Sequence, residues 1–536
     1  MDFDDIALAE FEDQTDEWNA KLSRRTRELE ELLTRHRGDS LPVLLKELFC
    51  GSFNFSIRAQ WDDAGPDWII RFPVPGMSVC LDEKVRKEVA VLNFLKQKTG
   101  IPVPDVVAWG TADENSLGLG PFIITTFIEG RSLSRAMKPR DESDYRESYT
   151  LDPDLPEATL EYIYRQIADF QIELSLHDFD RIGSLSHDET DRSWSVNSRP
   201  FTIKMHEIMR AGNVDVELPE SGTFSTVTEY MYELDRQDRH HLEKQRNSVE
   251  DAEDARRKFV TRRIFQDLIP RFVNPEYDRG PFKLHCDDFR PGNMLIDDDF
   301  KIVGVVDWEF TYAAPFQFMY SPPRWLILTK PDKWYDYAEQ GGDLFDDFKS
   351  KLELYLRVLE EQEAVRTDPP LPRPRLSSLM RQAMEDNTFW FNEVARDCFQ
   401  FKNLYLSRLD SYCFPDGPSI AERMEAEDIQ EGMDRLVETK LEDLRLYRIE
   451  WEEAQRRRQA AGVAAAVPSE AAEEKETIDA RITENEKGES KSGNHPRNML
   501  AWLYNSIFAT RLTTFVPLTI GLAGFVVFAH ALSKKR

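Results

Sequence analysis

The chain has 536 residues, too many for one small domain and enough for a two-lobed core with appendages. Against 69 Lys and Arg stand 98 Asp and Glu, and the formal net charge of −29 argues against a general nucleic-acid binder, which needs a basic face. Five scattered cysteines (Cys50, Cys80, Cys286, Cys398 and Cys413) show no metal-ligand spacing and read as reduced thiols of a cytosol-facing protein.

The opening MDFDDIALAEFEDQ is acidic and lacks the basic-then-apolar pattern of a secretory or mitochondrial presequence. Asp13 to Arg37 predicts one charged helix. Its thin stripe of Trp18, Leu22, Leu29, Leu32 and Leu33 suits a cap on the lobe that follows, and the pattern is too short for sustained heptads. Residues 1–40 are therefore set apart from a small, strand-rich lobe over 41–130. There Phe49 to Ile57 reads as strand, tight turn and strand, and Trp68–Phe72 as a third, alternating strand. A helix over Asp82–Gln97 puts Val85, Val89, Leu92 and Leu95 on one face. Pro102 and Pro104 lead into a strand at Val106–Trp109, and Phe122 to Gly130 is a buried strand.

Residues 131–459 predict a large helical lobe. Glu157–His177 is amphipathic, with Leu160, Ile163, Ile167, Phe170, Ile172 and Leu174 mainly on one side. Residues 186–274 form a polar insert with helical pieces at Met205–Arg210 and Val227–Val249, and its charged stretch Arg236–Lys258 is expected to be a solvated face. The stretch KLHCDDFRPGNMLIDDDFKIVGVVDWEF, Lys283 to Phe310, then reads as apolar strand, polar turn, apolar hairpin and second acidic turn. Asp288 is followed five residues later by Asn293, and the hairpin of Leu295–Ile296 and Lys301–Val306 returns to Asp307-Trp308-Glu309. Asp, Asn, Gly and Pro belong in turns for local reasons. An Asp, an Asn five residues on and an Asp after a hairpin are also the parts that phosphoryl transfer needs: one carboxylate to orient the attacking hydroxyl, and an Asn and an Asp to hold magnesium against nucleotide phosphates.

Beyond Glu309 the apolar FTYAAPFQFMYSPPRWLIL suits packing beneath the metal loop, with Trp308 and Trp325 as core residues. Helices follow at Asp343–Val365, Ser377–Gln400 and Ser419–Arg458, with the Pro-rich Asp368–Arg375 between the first two. Residues 460–498 have the composition of a flexible linker. Residues 499–536 pair an amphipathic segment, Met499–Leu512, with the uncharged Thr513–Leu532 and a terminal Ser-Lys-Lys-Arg. About twenty apolar residues span a bilayer, so a single-pass C-terminal membrane anchor with a cytosolic body is expected, at the mitochondrial outer membrane, endoplasmic reticulum or peroxisome.

Asp288-Phe-Arg-Pro-Gly-Asn293 and Asp307-Trp-Glu309, together with RFPVPG and EKVRKEVAVLNFLKQKTGIPVPDVVAWG, resemble the fungal branch of the aminoglycoside phosphotransferase-like family. The resemblance covers roughly Leu41 to Leu328. It implies an α+β, two-lobed protein-kinase-like fold, with ATP and Mg2+ as cofactors and a small hydroxyl- or amine-bearing molecule as acceptor. It further implies that the Gly51–Asn54 turn (Gly51, Ser52, Asn54) covers the phosphates, that Arg71 touches them and is held by Glu88, and that backbone groups of Thr126 to Ile128 meet adenine at the hinge. Asp288 is then the catalytic residue, with Asn293 and Asp307 on the metal. Three features depart from the family's usual pattern. The turn has one glycine, the strand carries Arg in place of Lys (a habit of this branch), and Cys286 stands where His is usual, with His285 one place earlier. Asp287 would restore the His-x-Asp spacing but break the Asp-to-Asn spacing, so Asp288 is assigned. The alternative class is a tail-anchored pseudokinase serving as an interaction scaffold. The sparse turn, Arg71 and Cys286 favour it, and the complete Asp288–Asn293–Asp307 set opposes it.

Overall fold

The computed structural model describes residues 3–465 apart from 39–40, 64, 140–149, 189, 191, 332–333, 335–343, 367–370 and 372, with side chains to 460. The chain divides into two units, Met1–Trp18 with Arg27–Arg456, and Asn19–Thr26 with the chain from Arg457. In the second unit the described residues are helical except at Arg24–Arg25.

The expected single N-terminal helix is two helices, α1 (Asp5–Ser23) and α2 (Thr26–Arg37). The small lobe is a five-stranded antiparallel sheet in the order β1 (Val43–Cys50), β2 (Asn54–Trp61), β3 (Trp68–Pro73), β5 (Phe122–Thr126), β4 (Val106–Gly110). Alternation along the strands sorts the side chains between two faces. Phe55, Ile57, Ala59 and Trp61 of β2 join Trp68, Ile70 and Phe72 of β3 in the core. Trp18 packs on the Phe55 and Phe72 rings at 5.7 and 6.0 Å and donates its indole N–H to Leu119 O at 2.8 Å. The N-terminal segment is therefore the cap that its apolar stripe predicts. Arg71 falls on the opposite face, where Val85 and Val89 of helix α3 (Leu81–Lys98) pack against Ile123 of β5.

The strand expected to run to Gly130 ends at Thr126, and a short strand β6 (Arg131–Ser132) and helix α4 (Leu133–Ala136) begin the large lobe. Helix α5 (Glu157–Ser175) buries Leu160, Ile163, Ile167 and Ile172 in its core. After β7 (Asp178–Phe179), the insert contains a hairpin, β8 (Ser184–His187) with β9 (Trp194–Ser198), and three helices: α6 (Ile203–Arg210), α7 (Val227–Lys244) and α8 (Ala252–Phe272). The stretch Arg236–Lys258 is not the solvated face its charges suggest, because Gln237, Asp238, His241, Gln245 and Asp254 are buried. Their charges have partners: Lys258 and Lys402 flank Asp254, and Lys204 meets Asp238 at 2.7 Å.

Strand β10 (Phe282–Cys286) lies between β13 (Thr311–Ala314) and β7, and its Phe282, Leu284 and Cys286 belong to the main core. The hairpin β11 (Met294–Ile296) and β12 (Ile302–Val305) pairs with β6. Trp308 and Trp325 are buried as expected. Two of the long helices expected downstream are interrupted. Ser377–Gln400 is Leu376–Glu385 and Thr388–Arg396, broken where Asn387 takes φ +61° and the Asp386 carboxylate caps Thr388 N–H at 2.9 Å. Ser419–Arg458 is Ile420–Met424 and Glu427–Ala465, and the latter runs into the segment expected to be linker. The rest of that linker and the Thr513–Leu532 anchor lie outside the described residues. Among the described residues no helix is long and apolar enough to cross a membrane.

Candidate active site

The hairpin register builds the site. Met294 pairs with Val305, so Asn293 and Val306 are the next residues out, and Val306 N–H donates to Asn293 O at 2.9 Å. One residue further, Asp307 stands beside the loop that carries Asp288. Asp307 has φ +67°, a left-handed backbone that costs a non-glycine residue energy and is retained where surrounding structure enforces it. Asn293 donates its amide to both Asp288 Oδ2 at 2.8 Å and Asp288 O at 2.9 Å. Asp288, Asn293 and Asp307 are thus brought together.

The two adjacent aspartates have different neighbours. Asp287 N–H donates to Phe310 O, Ile203 N–H donates to Asp287 Oδ2 at 3.1 Å, and Arg324 donates to Asp287 O at 2.9 Å. Burial works to raise the Asp287 pKa, but the His285 ring 3.5 Å away and the charges of Arg396 and Arg324 outweigh it and leave the group lowered. Asp287 is therefore a tie between the Asp288 loop and α6, and Asn293 engages its neighbour instead. Cys286 is buried in the core, where desolvation raises its thiol pKa, and the His285 ring lies 2.9 Å from Arg396 Nη1.

Across the cleft, Arg71 bonds Glu88 of α3 and also reaches Asp307 Oδ1 at 3.3 Å. Burial, and then the charge of Glu309, push Asp307 above the usual carboxylate range, and Glu88 is likewise raised by burial first. The phosphate-turn candidates fare unevenly. Gly51 has room for a Cβ, which would meet only Asn54 O at 3.5 Å, so the turn does not draw on glycine's freedom there; Gly51 and Ser52 are exposed. Asn54, by contrast, donates to Glu309 Oε2 at 2.8 Å, and Phe53 O accepts from Val74 N–H at 3.0 Å and Ser78 Oγ at 3.3 Å. At the hinge, Thr126 N–H is already committed to Asp105 O at 3.0 Å and Phe127 N–H to Asp67 O at 2.8 Å. Ile128 N–H has no hydrogen-bond partner among the described residues. Its side chain packs against Gly304, where an added Cβ would come within 2.8 Å of Ile128 Cδ1.

Three residues of this site carried no assignment from the sequence. Arg290 donates to Asp288 Oδ1 at 2.7 Å and is half exposed. Lys84 and Glu309 form an ion pair at 2.9 Å with each side chain only 1% exposed. The one available clue to Lys84 is its position four residues before Glu88, which puts both on one helical face.

Magnesium fits this donor set. Asn293 and Asp307 offer hard oxygen ligands, and Glu309 Oε1 is buried with no hydrogen-bond partner among the described residues. No group of three His, Cys, Asp or Glu among the described residues is arranged to hold a metal alone. Magnesium, which takes one or two carboxylates with phosphate and water, does not require one.

Residues 53–318 match the family described as the phosphotransferase enzyme family. The chain is 34% identical over 127 residues to Altered inheritance of mitochondria protein 9, mitochondrial, of Scheffersomyces stipitis (23% of this chain, 18% of that protein). It is 31% identical over 152 residues to the Candida tropicalis protein of that name (28% and 22%). It thus spans about a fifth of the length of these relatives. Among solved structures, a Plasmodium vivax ethanolamine kinase superposes at 12% identity over 76% of this chain and 82% of that one, with a TM-score of 0.35. A spectinomycin phosphotransferase in complex with ADP and spectinomycin does so at 12% over 75% and 98%, with a TM-score of 0.32. The hairpin-borne acid site lies inside the matched segment, so residues 53–318 are similar to a phosphotransferase enzyme family domain.

Proposed function

We propose that the chain is a magnesium- and ATP-dependent phosphotransferase acting on a small hydroxyl- or amine-bearing molecule. The observation that carries the proposal is the hairpin register, which sets Asp288, Asn293 and Asp307 together opposite Arg71. Magnesium, when bound, neutralises phosphate charge and draws electron density from the leaving oxygen. Asn293 and Asp307 would hold it, and Arg71 with Arg290 would meet phosphate oxygens. Asp288 orients the acceptor hydroxyl and takes its proton as the acceptor oxygen bonds to the γ-phosphorus. The bond from that phosphorus to its bridging oxygen breaks, and ADP leaves with the electron pair. Positioning and charge neutralisation supply most of the rate. The Ile128 N–H is the hinge donor still available to adenine.

The scaffold reading draws on the Arg71–Asp307 contact, which occupies a metal-binding carboxylate. Calorimetric titration of the full chain in detergent separates the two readings. Magnesium-dependent ATP binding that is lost in Asp307→Ala and kept in Asp288→Asn supports transfer chemistry. No nucleotide binding under any condition overturns it. The relatives' names carry the word mitochondrial, which favours a mitochondrial membrane for the Thr513–Leu532 anchor. Imaging of the full chain with and without residues 513–536 tests that placement, and retention of the shortened chain at the organelle would count against the anchor.

A further inference from the structure

Two cations bridge the small lobe to the acidic loop, and they are placed differently. Arg71 spans Glu88 and Asp307, its side chain a fifth exposed and its contact to Asp307 long at 3.3 Å. Lys84, one turn earlier on α3, is enclosed. Its Nζ donates to Ser78 Oγ at 2.7 Å and to Asn54 Oδ1 at 3.4 Å, and pairs with Glu309 Oε2 at 2.9 Å. An ammonium has three donors, so these partners use all of them. Asn54 closes the triangle by donating to the same Glu309 oxygen, and the Phe53 and Phe310 rings lie 5.1 and 5.6 Å from Nζ.

We infer that Lys84 is a positioning residue: a buried strut that keeps the phosphate turn, helix α3 and the metal loop in register while Arg71 is free to leave Asp307. It rests on the phosphotransferase reading for what is positioned. A cation bound to Asp307 competes with Arg71 for the same carboxylate. Were Arg71 the sole tie, the loop would be released at the moment it must hold the metal. The Lys84–Glu309 tie lies two residues further along, away from that exchange, and it fixes one oxygen of Glu309 while leaving Oε1 bare. It also anchors Asn54, which holds the turn in place without glycine-dependent geometry. An Arg on β3 is then workable, because its fork can swing from carboxylate to phosphate without loosening the helix.

The test uses the full chain in detergent with Mn2+ as the metal probe. In Lys84→Met, Mn·ATP affinity by electron paramagnetic resonance or calorimetry should fall tenfold or more, while metal-free ATP affinity changes less than threefold. Hydrogen–deuterium exchange should accelerate together in peptides covering residues 51–57 and 303–310. Asn54→Ala keeps the buried ion pair, so it serves if Lys84→Met does not fold. It should speed exchange at 51–57 and weaken Mn·ATP at least threefold. Wild-type Mn·ATP affinity in the variant, or loss of thermal stability with no change in either readout, overturns the strut. A wild-type chain that binds no Mn·ATP overturns the phosphotransferase reading instead. The exchange data then judge the strut alone, and unchanged exchange at both segments sinks it.

Discussion

The insert and the Asp307–Glu309 loop both bury charge, and they settle it in opposite ways. In the insert, Lys204 and Asp238 are 2% and 0% exposed and lie 2.7 Å apart, and Lys204 also donates to Leu234 O and Ala395 O. The charges there are matched inside the protein. At the loop, the three carboxylates Glu88, Asp307 and Glu309 share two bridging cations, Arg71 and Lys84, while Asp288 pairs with Arg290, and burial is the leading cause that raises the Asp307 and Glu88 pKa values. Burying unmatched carboxylates is unfavourable unless a cation arrives from outside. Charge paired one to one suits architecture, and a surplus of buried carboxylate suits the metal site proposed above.

The largest effect that would test this contrast is on chemistry. Asp288→Asn should lower the phosphotransfer rate roughly 10²–10⁴-fold, the range for loss of a general base, with Mg·ATP affinity retained. Steady-state assay beside calorimetry checks both halves. Next in size is Lys204→Met, which strands Asp238 in the interior. Breaking a buried pair costs about 3–5 kcal/mol, visible in urea denaturation, while Mg·ATP binding survives where the variant is folded.

A smaller, pH-dependent effect belongs to His206, which lies between the Phe53 and Phe310 rings with neither ring nitrogen bonded among the described residues. Desolvation first, then Lys84 and Arg210, hold its pKa well below the ordinary 6.5. A base depressed in the fold contributes stability that is present above pH 6.5 and is lost as pH falls below it. His206→Phe removes that loss, so its stability relative to wild type should grow by about 1.4 kcal/mol per pH unit below 6.5. A flat difference between pH 7 and pH 5 would show that the imidazole is protonated in place. Smallest of all, Arg381→Ala breaks exposed pairs with Glu353 and Glu360 and should leave the urea midpoint within measurement error.

The Asp288 loop was legible because its information is local. Turn residues, two short apolar strands and a hairpin register fix Asp288, Asn293 and Asp307 within twenty residues of one another. Arg71 and Glu88 were legible through the family resemblance, which asks for a basic residue on the third strand and a Glu on the helix that follows. Arg290 was passed over as loop chemistry although its guanidinium bonds the Asp288 carboxylate. The insert was misread because a charged residue looks the same in sequence whether its partner is water or a lysine thirty-four positions away, as with Lys204 and Asp238. The breaks near Arg24, Asn387 and Ala426 escaped notice because the apolar periodicity continues across them.

By itself, then, the sequence determined a strand-rich stretch before a helical one, the spacing of the three acidic-loop residues and the apolar C-terminal segment, since each follows from spacing over a few turns or strands. The two-lobed kinase-like plan came through the family resemblance. Only the tertiary structure decided that Asn293 holds Asp288 while Asp287 ties down α6. It alone decided that Arg71 spans two carboxylates, and that Lys84 and Asn54 converge on Glu309. These pairings join residues up to 255 positions apart, and electrostatic partnership at that range is set by which faces pack together, which no local pattern encodes.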